Sequence, residues 1–177
     1  MRLLKLCLSV MAMVVASVSP ILAQEVLVTS SGQSLDAFTA RTMLTRAGVE
    51  SAYDPLAGVD QLDGKQILIV AVGASIKGFG AAGITAEHEL ARTQELIDAA
   101  KANGIRIIGV HIGGTERRGG QSEQFIQLIA DNADAFVVSQ AGNEDGYFTT
   151  VAETRGIPVE IIDMPAQVGT ALSALVE

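Results

Sequence analysis

Five short runs rich in β-branched residues alternate along the chain with segments of helical periodicity. The runs are Val26–Thr29, Ile67–Val72, Arg106–His111, Ala135–Ser139 and Val159–Ile162, and a weaker one lies near Glu50–Tyr53. Several of them are apolar at consecutive positions, which is typical of parallel strands covered on both faces. The runs therefore predict the strands of a largely buried parallel sheet.

The segments between the runs predict amphipathic helices. In the clearest one, the apolar face is formed by Ala86, Leu90, Thr93, Ile97 and Ala100. The charged residues assigned to its other faces are Glu87, Glu89, Arg92, Glu95 and Asp98, an arrangement that favours a surface helix. Thr85 is expected to cap its start, and Asn103-Gly104 to end it. Further helices are predicted from Ser34 to Ala47, Ser122 to Asn132, Gly146 to Arg155 and Ala166 to Leu175.

Strand–helix alternation of this kind predicts an α/β fold, a three-layer doubly wound sandwich around a mostly parallel sheet. Right-handed crossovers place helices on both faces of such a sheet. Asp60–Gly64, directly before the Ile67 run, has the character of the short linker common in flavodoxin-like sheets. We therefore expect the flavodoxin-like strand order 2-1-3-4-5, with an extra strand at one edge.

The first 23 residues have the layout of a secretory signal peptide. A basic start with Arg2 and Lys5 precedes an apolar run from Leu6 to Val18, and Ala23 supplies the small residue before an expected cleavage site. The apolar run is short for a membrane anchor, the alternative interpretation. Cleavage would leave residues 24–177 as a single α/β domain with no later transmembrane span, periplasmic or secreted.

Charge and composition narrow the function classes. Asp and Glu number 20 against 12 Lys and Arg, for a net charge of −8, so no basic face is visible for nucleic acid. Cys7, the only cysteine, lies in the leader, which leaves no thiolate nucleophile or Cys-ligated metal in the remainder. Asn143 and Asp145 are interpreted as helix caps rather than metal ligands, and the sequence assigns no metal or cofactor.

Ligands of doubly wound sheets bind outside the carboxyl ends of the strands, where the strand order reverses. The first loop there offers hydroxyls, a flexible glycine and free amides before a helix, a combination suited to an anion. Its candidate binding residues are Ser30, Ser31, Gly32, Gln33 and Ser34. This loop resembles the phosphate loop of flavodoxins, although only Phe79 in the second loop could cover a flavin. A helix cap at Ser34 and a turn at Gly32 are the alternative.

The second and third loops add charge to this predicted edge. From Gly73 to Gly83 the candidates are Gly73, Ser75, Lys77, Gly78 and Gly80, in a stretch that lacks the Lys-Ser/Thr of a P-loop. The candidates at the end of the Arg106–His111 run and in the loop after it are His111, Gly113, Gly114, Arg117 and Arg118. Arginines at such a place can clamp a carboxylate or phosphate. His111 is suited to proton transfer near neutral pH, or to a structural hydrogen bond.

Four stretches together resemble an exported bacterial family classed as a domain of unknown function. They are Val28–Ser34, Asp54–Leu56, Gly73–Gly83 and His111–Gly119. The resemblance covers nearly all of the chain after the leader and implies the α/β fold. It carries no assigned activity.

The sequence therefore supports a leading hypothesis and three alternatives. The leading one is an exported module that binds a small anionic ligand, or presents these loops to a membrane transport or sensory protein. The others are an enzyme with His111 as general acid or base, an FMN-binding flavodoxin-like protein, and a structural domain without a small ligand.

Overall fold

Six parallel strands form one sheet in the computed structural model, which describes residues 25–176. The strands are β1 (Val26–Ser31), β2 (Ala52–Tyr53), β3 (Ile67–Val72), β4 (Arg106–His111), β5 (Ala135–Ser139) and β6 (Val159–Ile162). Their order is β2-β1-β3-β4-β5-β6. The predicted order is confirmed, with β6 as the extra edge strand. The predicted leader lies outside the described residues.

The register of the sheet divides its side chains between two apolar cores. Val28 pairs with Ile69 and Ile69 with Ile108, so these residues share one face. Leu27 and Leu68 pair in the same way and point to the other face. Since both faces are covered, the strands are apolar at consecutive positions, as the sequence indicates.

Helices cover the two faces unequally. They are α1 (Asp36–Arg46), α2 (Ile76–Ala82), α3 (Ala86–Ala102), α4 (Ser122–Asn132), α5 (Tyr147–Arg155) and α6 (Val168–Val176). Helices α1 and α6 pack on the Val28 face, and α2 to α5 supply the core of the Leu27 face. Over residues 25–176 we find no helix with the length and hydrophobicity that a bilayer crossing requires.

Helix α2 lies where the sequence predicts an open loop, and that expectation is wrong. Its glycines disfavour a helix, but Ser75 Oγ accepts a hydrogen bond from the Gly78 amide and caps the first turn. Phe79 is buried, with its ring centroid 6.0 Å from that of Phe125. Capping and burial of one aromatic side chain therefore stabilise a helix that the local composition does not predict.

Candidate functional site

The loops that follow β1, β3, β4 and β5 meet at one edge of the sheet. The Gly73 amide donates to the Ser31 carbonyl over 2.9 Å, and the Ser75 amide donates to the Gly32 carbonyl over 2.8 Å. On the other side, Ser139 Oγ donates to the Gly113 carbonyl over 2.6 Å. Parallel strands bring their carboxyl ends to the same edge, so segments far apart in sequence become neighbours here.

Backbone packing closes the space between the first two loops. Gly32 has φ +100°, and a Cβ added to it would lie 2.6 Å from the Gly73 carbonyl oxygen. A Cβ at Gly78 would collide with the Gln33 carbonyl. Gln33 forms an isolated antiparallel bridge with Ala74. These close approaches require glycine, and they join the β1 and β3 loops into one layer.

A fully buried carboxylate, Glu89 of α3, holds the β1 loop from below. Its carboxylate accepts a hydrogen bond from the Gly32 amide nitrogen at 3.0 Å and another from Gln33 Nε2 at 2.9 Å. Its exposed fraction is 0%. Arg92 neutralises it, with Nε 2.8 Å from Oε2 and one terminal nitrogen 2.8 Å from Oε1. A buried carboxylate needs both a counter-charge and hydrogen bonds, and Glu89 has both.

Arg92 extends this network to two further backbone segments. It donates to the Ala57 carbonyl over 2.7 Å and to the Ser30 carbonyl over 2.5 Å. Gln33 Nε2 also donates to the Pro55 carbonyl, over 2.8 Å. The segment after β2 is thus tied to the end of β1 through α3.

Arg117, in the short turn after β4, reaches across the edge to helix α1. Its two terminal nitrogens lie 3.1 Å and 3.0 Å from the two carboxylate oxygens of Asp36. The Asp36 side chain is 9% exposed, whereas that of Arg117 is 41% exposed. One terminal nitrogen donates a hydrogen bond to Asp36 Oδ1, and the second contact adds charge attraction. Asp36 therefore orients the guanidinium, while part of the Arg117 side chain still faces solvent.

Arg118 is fixed in another direction, away from Arg117. It pairs with Asp145 and donates to the Gly142 carbonyl over 3.1 Å. Its guanidinium lies 4.7 Å from the centroid of the Tyr147 ring. Hydrogen bonds from Arg118 lower the pKa of Asp145. Arg118 therefore braces the β4 loop against the start of α5, and its side chain is only 12% exposed.

An open cleft of about 340 Å³ lies between the β3 and β4 loops. Its lining residues are Ala74, Ile76, Glu116, Arg117, Gly119, Gln121 and Ser122. Ser122 links the β3 loop to the start of α4, because its Oγ accepts a hydrogen bond from the Ala74 amide nitrogen at 3.0 Å. Glu116 has no ion-pair partner among residues 25–176. The cleft thus presents a partly exposed guanidinium, an unpaired carboxylate and polar groups of α4.

His111, at the end of β4, lies beneath the β5 loop. The side chain is buried, with 1% of its surface exposed, and its Nδ1 is 3.2 Å from the Val72 carbonyl oxygen. The imidazole stacks on the Phe148 ring, with 5.5 Å between the ring centroids. Nε2 has no hydrogen-bond partner within the described chain. Burial lowers the pKa of His111, and the contact with the Val72 carbonyl opposes this shift. The imidazole therefore favours the neutral form.

A family model matches residues 23–176, over nearly the whole chain. Its description is "Domain of unknown function (DUF6305)". The chain belongs to this family. Comparison with curated proteins and with solved structures gave no match. The expected likeness to a family of unknown function is confirmed.

In this DUF6305 protein, the candidate donors of the first loop are turned inward. The hydroxyls of Ser30 and Ser31 are buried without a hydrogen-bond partner in the described part of the chain. The Gly32 amide is bound by Glu89, and Ser34 Oγ lies 3.4 Å from the Asp36 amide. The loop reaches the expected edge of the sheet, but its polar atoms do not line the cleft.

Of the candidates in the other two loops, some lie at the cleft and others lie outside it. Arg117 lines the cleft, and Gly113 and Gly114 lie directly beneath the side chains that do. Lys77 lies on α2 and is exposed, outside the cleft lining. The remaining candidates, Gly73, Ser75, Gly78 and Gly80, belong to the β3 loop or to α2. Neither Ser31 nor Ser75 is a hydrogen-bond partner of His111.

Sequence reasoning missed the groups that position the site. Glu89 and Arg92 were assigned to exposed faces of their helix, yet Glu89 is fully buried. Glu89 stands three residues after Ala86 and four before Thr93, both on the apolar face, and this spacing could have revealed it. No sequence signal identifies Asp36 as the partner of Arg117, because 81 residues separate them.

We expect Arg92→Ala to destabilise the protein by about 3–5 kcal/mol, because it leaves Glu89 buried without a counter-charge. Denaturant unfolding of the described domain measures this change. Arg46→Ala, at the exposed end of α1, is the control and should alter stability by about 0.5 kcal/mol or less. Equal effects of the two substitutions would contradict a supporting role for the Glu89–Arg92 pair.

We expect the His111 imidazole to titrate below pH 6.5, because burial disfavours its charged form. The unfolded chain binds this proton below about pH 6.5, so stability should fall as pH drops from 7 towards the folded pKa. The loss is at most about 1.4 kcal/mol per pH unit, and His111→Gln should remove it. NMR titration of the imidazole signals measures the midpoint of His111. The variant His88→Gln shows which signal belongs to the other histidine. A His111 midpoint at or above 6.5 would refute the expectation.

Proposed function

We propose that this protein is an exported binding protein that holds a small carboxylate-bearing molecule in the cleft between the β3 and β4 loops. The observation that carries the proposal is the guanidinium of Arg117. It is fixed by Asp36 through two contacts, yet its side chain remains 41% exposed and lines the cleft. A pre-oriented cation loses little conformational freedom when a ligand binds.

The cleft also supplies neutral groups that suit a carboxylate. Ser122 Oγ accepts the Ala74 amide and keeps its own hydroxyl proton for a ligand. Gln121 adds an exposed amide group to the lining. Ile76 provides an apolar wall. A few polar groups around one fixed cation, beside an apolar surface, form the usual composition of a small-molecule site.

Export is part of the proposal. The first 23 residues have the basic start, apolar run and small terminal residue of a secretory leader. The family match begins at residue 23, beside the expected cleavage site, and this position supports the division. We place the binding domain in the periplasm or the extracellular medium.

Binding is better supported than the two catalytic alternatives. General acid–base chemistry needs His111 within reach of a substrate, whereas Phe148 stacks on the ring and Gly142 packs against it. A flavin needs its ring system covered, and no aromatic residue is part of the cleft lining. General acid–base chemistry at His111 also makes no use of Arg117, which lines the cleft.

A second role, docking to a membrane transport or sensory protein, is favoured by exposed apolar side chains at the same edge. Leu35 is 81% exposed, Ile76 79% and Phe38 54%. Ile76 forms part of the cleft wall, and Leu35 follows Ser34, whose side chain adjoins Gly73. Exposed apolar residues of this size beside a binding cleft are typical of an interaction surface.

For the binding role, we expect short carboxylates to raise the melting temperature of the wild-type domain. Occupancy at ten times Kd adds about 1.4 kcal/mol, which corresponds to a shift of roughly 3–6 °C for a domain of this size. The double variant Asp36→Asn/Arg117→Gln should lose the shift, because it removes the cation without leaving a buried charge unpaired. Differential scanning fluorimetry measures both.

Two single substitutions control for the loss of positive charge in this experiment. Arg46→Gln removes a cation at the far end of α1, and Lys77→Gln removes one on α2 outside the cleft lining. Both should keep the carboxylate-dependent shift. A shift that survives in the double variant would refute capture by Arg117.

For the docking role, we expect crosslinking in the native envelope to join the wild-type protein to a membrane protein, and we expect Leu35→Ser/Ile76→Ser to abolish this adduct. Both side chains are exposed, so their loss should not unfold the domain. The control, Val59→Ser/Met164→Ser, removes apolar side chains exposed by 47% and 58% elsewhere. Adduct formation is followed by immunoblot, and an equal yield from all three proteins would count against docking at this edge.

A further inference from the structure

The cleft contains a negative charge that a simple anion site does not need. Glu116 lines it beside Arg117 and has no ion-pair partner in residues 25–176. From this pair of opposite charges we infer that the ligand is a zwitterion, a free α-amino acid whose carboxylate faces Arg117 and whose ammonium group faces Glu116. The inference rests on the proposed carboxylate site and specifies its ligand class.

The charge balance of the cleft supports this ligand class. Asp36 already neutralises Arg117 through two contacts, so Glu116 leaves the group with a net negative charge. A doubly charged anion such as phosphate would meet repulsion from Glu116 at short range. An ammonium group next to Glu116 removes that repulsion. The carboxylate of the same molecule can then bind the N–H donors of Arg117 that Asp36 does not use.

Two glycines accommodate these side chains in separate positions. A Cβ at Gly113 would lie 2.7 Å from Arg117 Cδ, and a Cβ at Gly114 would collide with the Glu116 carboxylate. Glycine at position 113 therefore makes room for the arginine stem, and glycine at position 114 for the acid. The two charged groups stay on adjacent residues without forming an ion pair with each other, so both remain available to a ligand.

Size and polarity restrict the amino acid further. The cleft volume of about 340 Å³ suits a single amino acid rather than a folded or long peptide. Ala74 and Ile76 form an apolar part of the wall, and Ile76 is 79% exposed. An aliphatic side chain on the ligand would cover Ile76 and gain free energy from that burial.

The test compares three matched probes by isothermal titration calorimetry at neutral pH. L-leucine carries both charged groups, 4-methylpentanoate lacks the ammonium, and L-leucinamide lacks the carboxylate. We expect wild-type protein to bind L-leucine at least about tenfold more tightly than either analogue, since each charge-assisted contact is worth about that factor.

Glu116→Gln tests the acid directly. It should weaken L-leucine binding about tenfold or more and leave 4-methylpentanoate bound equally or more tightly, because the repulsion is gone. Glu123→Gln, an exposed carboxylate in the first turn of α4 outside the cleft lining, is the matched control and should change neither affinity.

The outcomes separate the two proposals. If 4-methylpentanoate binds as well as L-leucine, in an Arg117-dependent manner, the zwitterion inference is overturned and the carboxylate site stands. If L-leucinamide binds as well as L-leucine and Asp36→Asn/Arg117→Gln has no effect, the carboxylate site itself is overturned. Absence of binding by all three probes overturns both.

Discussion

The Glu89–Arg92 pair is the interaction on which the geometry of the candidate site depends. Glu89 is fully buried and binds the Gly32 amide and the Gln33 side chain. Without these contacts, Gln33 would have little reason to adopt φ +60°, a conformation that non-glycine residues rarely take. The loop held in this way leads directly into α1, whose first residue, Asp36, orients Arg117. The buried Glu89–Arg92 pair thus influences the position of Arg117 indirectly, through the β1 loop and the start of α1.

The ion pairs of the described residues are concentrated at this edge of an otherwise acidic chain. Glu89–Arg92 lies under the β1 loop, Asp36–Arg117 spans from α1 to the β4 loop, and Asp145–Arg118 joins the β4 and β5 loops. Surface ion pairs contribute little to stability on average, but pairs that connect different loops fix their relative positions. These contacts give the edge the preformed geometry that a ligand site needs.

The sheet could be predicted from the sequence because its strands are short, apolar and separated by strong helix signals. Four strands, among them Ile67–Val72 and Ala135–Ser139, have the expected bounds. The first strand is two residues longer than Val26–Thr29, since Ser30 and Ser31 pair with β3 despite their polar side chains. Helix α2 was missed because glycine-rich composition hides the burial of Phe79. The spacing of Glu89 from Ala86 and Thr93 indicates the apolar face of α3, but local sequence could not show that the Gly32 amide and Gln33 side chain bind it, since they belong to another segment.

The position of the cleft depends on the backbone packing at the point where the strand order of the sheet reverses. Doubly wound sheets bind ligands where strand order reverses, here between β1 and β3. In this chain Gly32 packs on Gly73 and Gly78 packs on Gln33, so backbone occupies that crevice. An open space along the same edge lies between the β3 and β4 loops, where Arg117 is partly exposed. Filling the usual crevice therefore moves the candidate site one strand along the sheet, from the hydroxyls of β1 to the charged turn after β4.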